Sequence, residues 1–140
     1  MKVFLSDNKP SLNSHKWASN LSMFNDMVLD CEATDIICEN FLSSFNFGEL
    51  QDLIKIIVSK MRLDSQLTII ETDAYLTSKK FYIEEINLTE LNSVLFNSGG
   101  RKCILNSDHI LSILPENLNV THKHYEAASC GFILKCRRSK

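Results

Sequence analysis

Glycine is scarce in this sequence, with four residues in 140, at Gly48, Gly99, Gly100 and Gly131. No G-x-G-x-G run occurs, so no tight turn is encoded in which a backbone closes on a nucleotide without a Cβ in the way. The only prolines are Pro10 and Pro115, and no Gly/Ser/Pro-rich stretch marks a linker. The expectation is one α/β domain spanning 1–140. No stretch approaches the ~18 apolar residues of a membrane span. The opening MKVFLSDNKP has a three-residue apolar run, Val3 to Leu5, short of the core of a secretory signal. The five cysteines (Cys31, Cys38, Cys103, Cys130, Cys136) form no CxxC pair, which argues against a disulfide framework or a zinc knuckle. They read as reduced thiols of a cytoplasmic protein. Fifteen basic residues against seventeen acidic ones leave a net charge of -2, with no overall field to draw nucleic acid or anionic lipid. A G-x-S-x-G elbow is missing and Cys38 has no sequence-local activator, so serine and cysteine nucleophile chemistry lack support.

What is present is a succession of strands and helices. Val3-Phe4-Leu5 running into Ser6-Asp7-Asn8 reads as a short strand near 2–6 ending in a loop. Residues 8–27 read as irregular, anchored by Trp17, Leu21 and Phe24. A buried strand is expected at 34–38 and another at 67–72, rich in β-branched residues. Between them Leu50, Leu53, Ile54, Ile57, Val58 and Met61 recur with the period of one helical face, and Arg62 to Ser65 reads as a turn. Ala74 to Tyr82 reads as a helix. Asn87 with Glu90 resembles a capping box opening another, ended by Gly99-Gly100. Ser107 is expected to cap a third, stopped by Pro115. Strands at 118–124 and 130–137 close the chain as an antiparallel pair.

From Asp26 onward this order resembles the second half of a class I S-adenosylmethionine-dependent methyltransferase. Ala33-Thr34-Asp35-Ile36-Ile37-Cys38 looks like the strand that ends beside the transferable methyl, and Leu50 to Met61 like the helix after it. Met61 to Ile70 looks like the R-x-L-K-P-G-G turn and its strand, with Asp64-Ser65 where the family usually has Pro-Gly-Gly. Ser43-Ser44 stand where many members carry Glu-His. The closing strands look like the family's antiparallel hairpin. The resemblance implies a truncated, Rossmann-like three-layer α/β domain, mostly parallel, with S-adenosylmethionine as cofactor.

Under that resemblance Glu39 and Asn40 are the catalytic candidates, since they follow the strand that points at the methyl group. Asp7 and Asp73 are the cofactor-binding candidates, because acidic residues at strand ends bind ribose hydroxyls in dinucleotide-binding folds. Each aspartate has a simpler reading: Asp7 as a turn cap and Asp73 as a helix N-cap. His122 and His124 share one strand face, a spacing that suits metal ligands, but no third ligand is indicated and no metal is expected. Lys135, Arg137, Arg138 and Lys140 read as a solvated basic terminus. For want of a glycine turn, the expected function is a methyltransferase-like protein that is degenerate or dependent on a partner chain for its cofactor. The alternative is a noncatalytic assembly module, of a viral kind, that pairs with a second copy or another chain through an exposed sheet edge.

Overall fold

The computed structural model describes residues 1–96 and 100–140. The first strand, β1 (Lys2–Leu5), buries Val3, Phe4 and Leu5. The stretch after it is not irregular throughout. It holds a three-residue strand, β2 (Lys16–Ala18), and a seven-residue helix, α1 (Leu21–Met27), whose N-cap Asn20 accepts from the Met23 N–H. The Trp17 indole N–H donates to the Ser6 carbonyl, and His15 Nε2 lies 3.0 Å from Asp35 Oδ2. These contacts tie the loop between β1 and β2 to the sheet.

Next come β3 (Ala33–Glu39) and α2 (Leu50–Lys60), separated by two 3-10 turns at Leu42–Ser44 and Phe47–Glu49. Helix α2 buries Leu50, Leu53, Ile54, Ile57 and Val58, the expected face. The turn expected at Arg62 to Ser65 is instead the start of a twelve-residue strand, β4 (Met61–Thr72). Its β3 register shifts between Ala33 and Asp35, and Asp64 takes φ 63°. A kink inside the strand therefore stands where the polar run suggested a break.

Helix α3 (Ala74–Tyr82) is capped by Asp73 Oδ2, which accepts the Leu76 N–H at 2.7 Å. In α4 (Leu88–Phe96) the capping box is complete. Asn87 Oδ1 accepts from the Glu90 N–H, and Glu90 Oε1 accepts from the Asn87 N–H. The stop expected at Gly99-Gly100 falls partly outside the described residues. The last helix, α5 (Ser107–Ile113), is capped by Asn106 and not by Ser107, whose hydroxyl pairs with Tyr125 at 2.7 Å. The chain closes with β5 (Leu118–Glu126) and β6 (Gly131–Arg138).

The strands form one sheet in the order β2-β1-β3-β4-β6-β5. Pairings from β2 through β4 are parallel, while β6 runs antiparallel to both β4 and β5. The α/β fold with a mostly parallel sheet and an antiparallel C-terminal hairpin is as expected. Its core includes Val3, Leu5, Ile36, Cys38, Ile54, Leu67, Ile69 and Phe132. The chain steps outward from β1 to β2, then returns to place β3 on the other side of β1, so strand order reverses between β1 and β3.

Candidate functional site

In open α/β sheets ligands bind outside the carboxyl ends of strands, at the point where strand order reverses. That point here holds a cavity of about 210 Å³ lined by Ser6, Asp7, Asn8, Lys9, Pro10, Glu39 and Asn40. A neighbouring cavity of about 240 Å³ shares Glu39 and Asn40 and continues past the ends of β4 and β6, along Glu71, Thr72, Glu126, Ser129 and Gly131. Asn40 has φ 49°, a left-handed conformation that asparagine tolerates better than most residues. Its N–H donates to the Ile70 carbonyl at 2.9 Å, which fixes the turn out of β3 to the neighbouring strand.

The floor of this turn is Glu71, which is 1% exposed. Its Oε1 accepts the Ser43 N–H at 3.2 Å, while Oε2 is buried without a partner. Burial pushes its carboxyl up to about 7, against the opposing pull of the Ser43 side chain and backbone, of Arg101 and of the Leu42 backbone. The Ser43 carbonyl in turn accepts from the Lys102 and Cys103 N–H groups at 2.7 and 3.2 Å. Arg101 Nη2 donates to Thr72 Oγ1 at 3.1 Å. A Cβ on Gly100 would stand 3.5 Å from Asp7 Oδ2. Gly100 and Arg101 therefore lie along the mouth of the crevice, between Asp7 and Thr72.

No protein-family model matches the sequence, and no curated protein matches it. Solved structures do match. The N-methyltransferase NodS from Bradyrhizobium japonicum, in complex with S-adenosyl-L-homocysteine, aligns with 92% of this chain at 11% identity and a TM-score of 0.56. Magnesium protoporphyrin IX methyltransferase from Synechocystis, also with bound S-adenosylhomocysteine, aligns with 89% at 15% identity and a TM-score of 0.59. A S-adenosylmethionine-dependent methyltransferase from Methanosarcina mazei aligns with 94% at 12% identity and a TM-score of 0.53. The fold is that of a class I methyltransferase. The chain spans 57%, 52% and 73% of the lengths of these three proteins.

Within this methyltransferase-like fold, Asp7, Glu39 and Asn40 come together at the β1–β3 crevice. Asp73 does not join them. It is fully buried, its N–H donates to the Cys130 carbonyl, and its carboxylate caps α3. Directly after β4 it has turned into the cap of the next helix, which places it apart from the cavity that Asp7, Glu39 and Asn40 line. Glu71 and Arg101 were not singled out from the sequence, and Ser43 was noted only as standing, with Ser44, where many members of the resembled family carry Glu-His. Glu71 reads there as the polar end of a strand, and Arg101 as a residue after a helix, with no local pattern to join them.

Other candidates resolve more simply. Burial and the neighbouring Glu71 push the Cys38 thiol far up, so it is a core thiol. The rings of His122 and His124 lie 6.1 Å apart on exposed β5, and no group of three or more metal-ligating side chains is found among the described residues. The basic terminus is partly engaged. Arg137 pairs with Asp64 at 3.2 Å, and Arg138 donates to the carbonyls of Val58 and Met61. Among the described residues no helix is long and apolar enough to cross a membrane.

Proposed function

We propose that the chain is a methyltransferase-like protein whose β1–β3 crevice takes the nucleoside end of S-adenosylmethionine, and that a second chain supplies the rest of the cofactor site. The observation that carries this reading is the convergence of Asp7, Glu39 and Asn40 on one cavity at the reversal of strand order. Asp7 follows the end of β1, where a carboxylate accepts from ribose hydroxyls in related folds. Glu39 and Asn40 face the same space from β3. The residues fit the cofactor only in part. Each of the two crevice cavities falls below the ~300 Å³ at which small-molecule sites begin, and the sequence has no glycine turn to cradle the remainder. Methyl transfer by this chain alone is therefore not part of the proposal.

A thermal-shift titration with S-adenosylhomocysteine tests it, because a ligand that binds only the folded state raises Tm. A saturable rise, reduced in Asp7→Ala and in Glu39→Ala, is expected. No rise at any ligand concentration would remove the reading. A second reading, a noncatalytic assembly module, draws on β5, a nine-residue edge strand whose residues after Leu118 are exposed. Such an edge offers unpaired backbone groups to another chain. Light scattering on the same sample decides it: a defined oligomer blind to the ligand favours this reading, and a monomer excludes self-pairing.

A further inference from the structure

Three segments meet at Ser43. Its N–H is held by Glu71 at the end of β4, and its carbonyl holds Lys102 and Cys103 from the segment after α4. The first segment carries Asn40 into the crevice, and the third brings Gly100 against Asp7. We propose that Glu71 is a positioning residue for this crevice, a buried carboxyl whose protonation keeps the loop after β3 and residues 100–105 closed over the strand ends.

The geometry carries the argument. Glu71 Oε2, Arg101 Nε and Arg101 Nη1 are all buried without partners, and among the described residues Glu71 makes no ion pair. A neutral carboxyl is tolerated in such a place, whereas a carboxylate with an orphaned oxygen is costly until water reaches it. Opening the two segments admits that water. The titratable and charged groups around Glu71 are Arg101, Cys38 and Cys103, with Glu39 and Glu126 lining the same cavity. Arg101 faces it from the segment after α4 and favours the carboxylate. The thiols of Cys38 on β3 and of Cys103 are themselves raised by burial and by Glu71, so both stay neutral. Its β6 register partner is Phe132, which does not titrate. A carboxyl near 7 when closed and near 4.5 when hydrated drives opening as pH rises, by about tenfold in the opening constant between pH 6 and pH 8.

This inference rests on the crevice being a ligand site, but its test does not. Hydrogen exchange of the ligand-free full chain, corrected for intrinsic exchange, is followed at 40–45 and 101–105 from pH 6 to pH 8. Protection is expected to fall about tenfold with a midpoint near 7 in the wild type and to stay flat in Glu71→Gln. Arg101→Met, which removes a favourable charge, is expected to move the midpoint higher, and this holds even if Glu71→Gln fails to fold. A flat wild-type profile, a Glu71→Gln variant that keeps the wild-type profile, or an Arg101→Met midpoint that stays or falls would overturn the proposal. S-adenosylhomocysteine is then titrated at pH 6 and pH 8. Exchange that switches with no ligand bound at either pH upholds the role of Glu71 and removes the cofactor reading instead.

Discussion

Gly131 sits where β6 crosses the end of β4, opposite Thr72. A Cβ there would meet the Glu71 carbonyl oxygen at 2.9 Å, a backbone atom that cannot swing aside. Gly131→Ala is expected to destabilise the fold by about 1–3 kcal/mol, the usual cost of overpacking, read as a lower denaturation midpoint at unchanged slope. Asn40 makes the opposite case, because its left-handed backbone favours glycine. Asn40→Gly should leave stability within about 1 kcal/mol of wild type, whereas Asn40→Ala adds left-handed strain of about 1–2 kcal/mol. If Asn40→Gly still weakens S-adenosylhomocysteine binding, the side chain contacts ligand; if only Asn40→Ala does, the residue serves the turn. Glu71 links stability to pH. Its folded-state carboxyl lies above the ordinary 4.5, so the folded chain keeps a proton that the unfolded chain has released. That contribution is complete below about 4.5 and lost as pH rises through about 7, a loss on the order of 3 kcal/mol. Denaturation at pH 5 and pH 8 is expected to show a larger fall for wild type than for Glu71→Gln, and equal falls would contradict it.

Elements differ in how far local chemistry alone makes them. Helix α2 buries five apolar side chains, and its period was legible because those residues recur over three turns. Helix α4 has no buried residue, so its stability leans on the Asn87–Glu90 capping box. Asn87→Ala is expected to cost α4 about 1 kcal/mol and to speed hydrogen exchange across 88–96 while leaving the global midpoint unchanged. A matching drop in global stability would mean that α4 is part of the cooperative core. Strand β2 escaped the sequence because Lys16-Trp17-Ala18 is too short to show alternation, and it exists through pairing with β1. The start of β4 escaped for another reason. Arg62, Leu63 and Asp64 are exposed and two of them polar, so they read as a turn, although they lie within β4, in the irregularity between its Met61 and Gln66 pairings with β3. The α5 cap was read one residue late because Asn106 and Ser107 are both good caps, and the Tyr125 hydroxyl claims Ser107.

At the scale of the whole molecule, the candidate site is a product of strand order. Asp7 and Glu39 were legible separately, as polar residues directly after apolar strands. Their shared cavity was not, because it depends on β3 crossing back to lie beside β1. Asp73 shows the converse: it also follows a strand, but there the chain passes at once into a helix that its carboxylate caps, away from that cavity. Topology also makes a prediction that neither strand makes alone. If β1 and β3 form two walls of one ligand site, Asp7 and Glu39 report on the same bound molecule, and substitutions of groups sharing a partner do not add. Asp7→Ala, Glu39→Ala and the double variant, each titrated with S-adenosylhomocysteine, are expected to give a coupling of about 0.5–3 kcal/mol. Strict additivity, with each variant weakening binding, would mean that the two carboxylates act on separate parts of the ligand or at separate places on the sheet. Coupling that disappears in Gly100→Ala, where a methyl group is set against Asp7, would extend the shared site to Gly100.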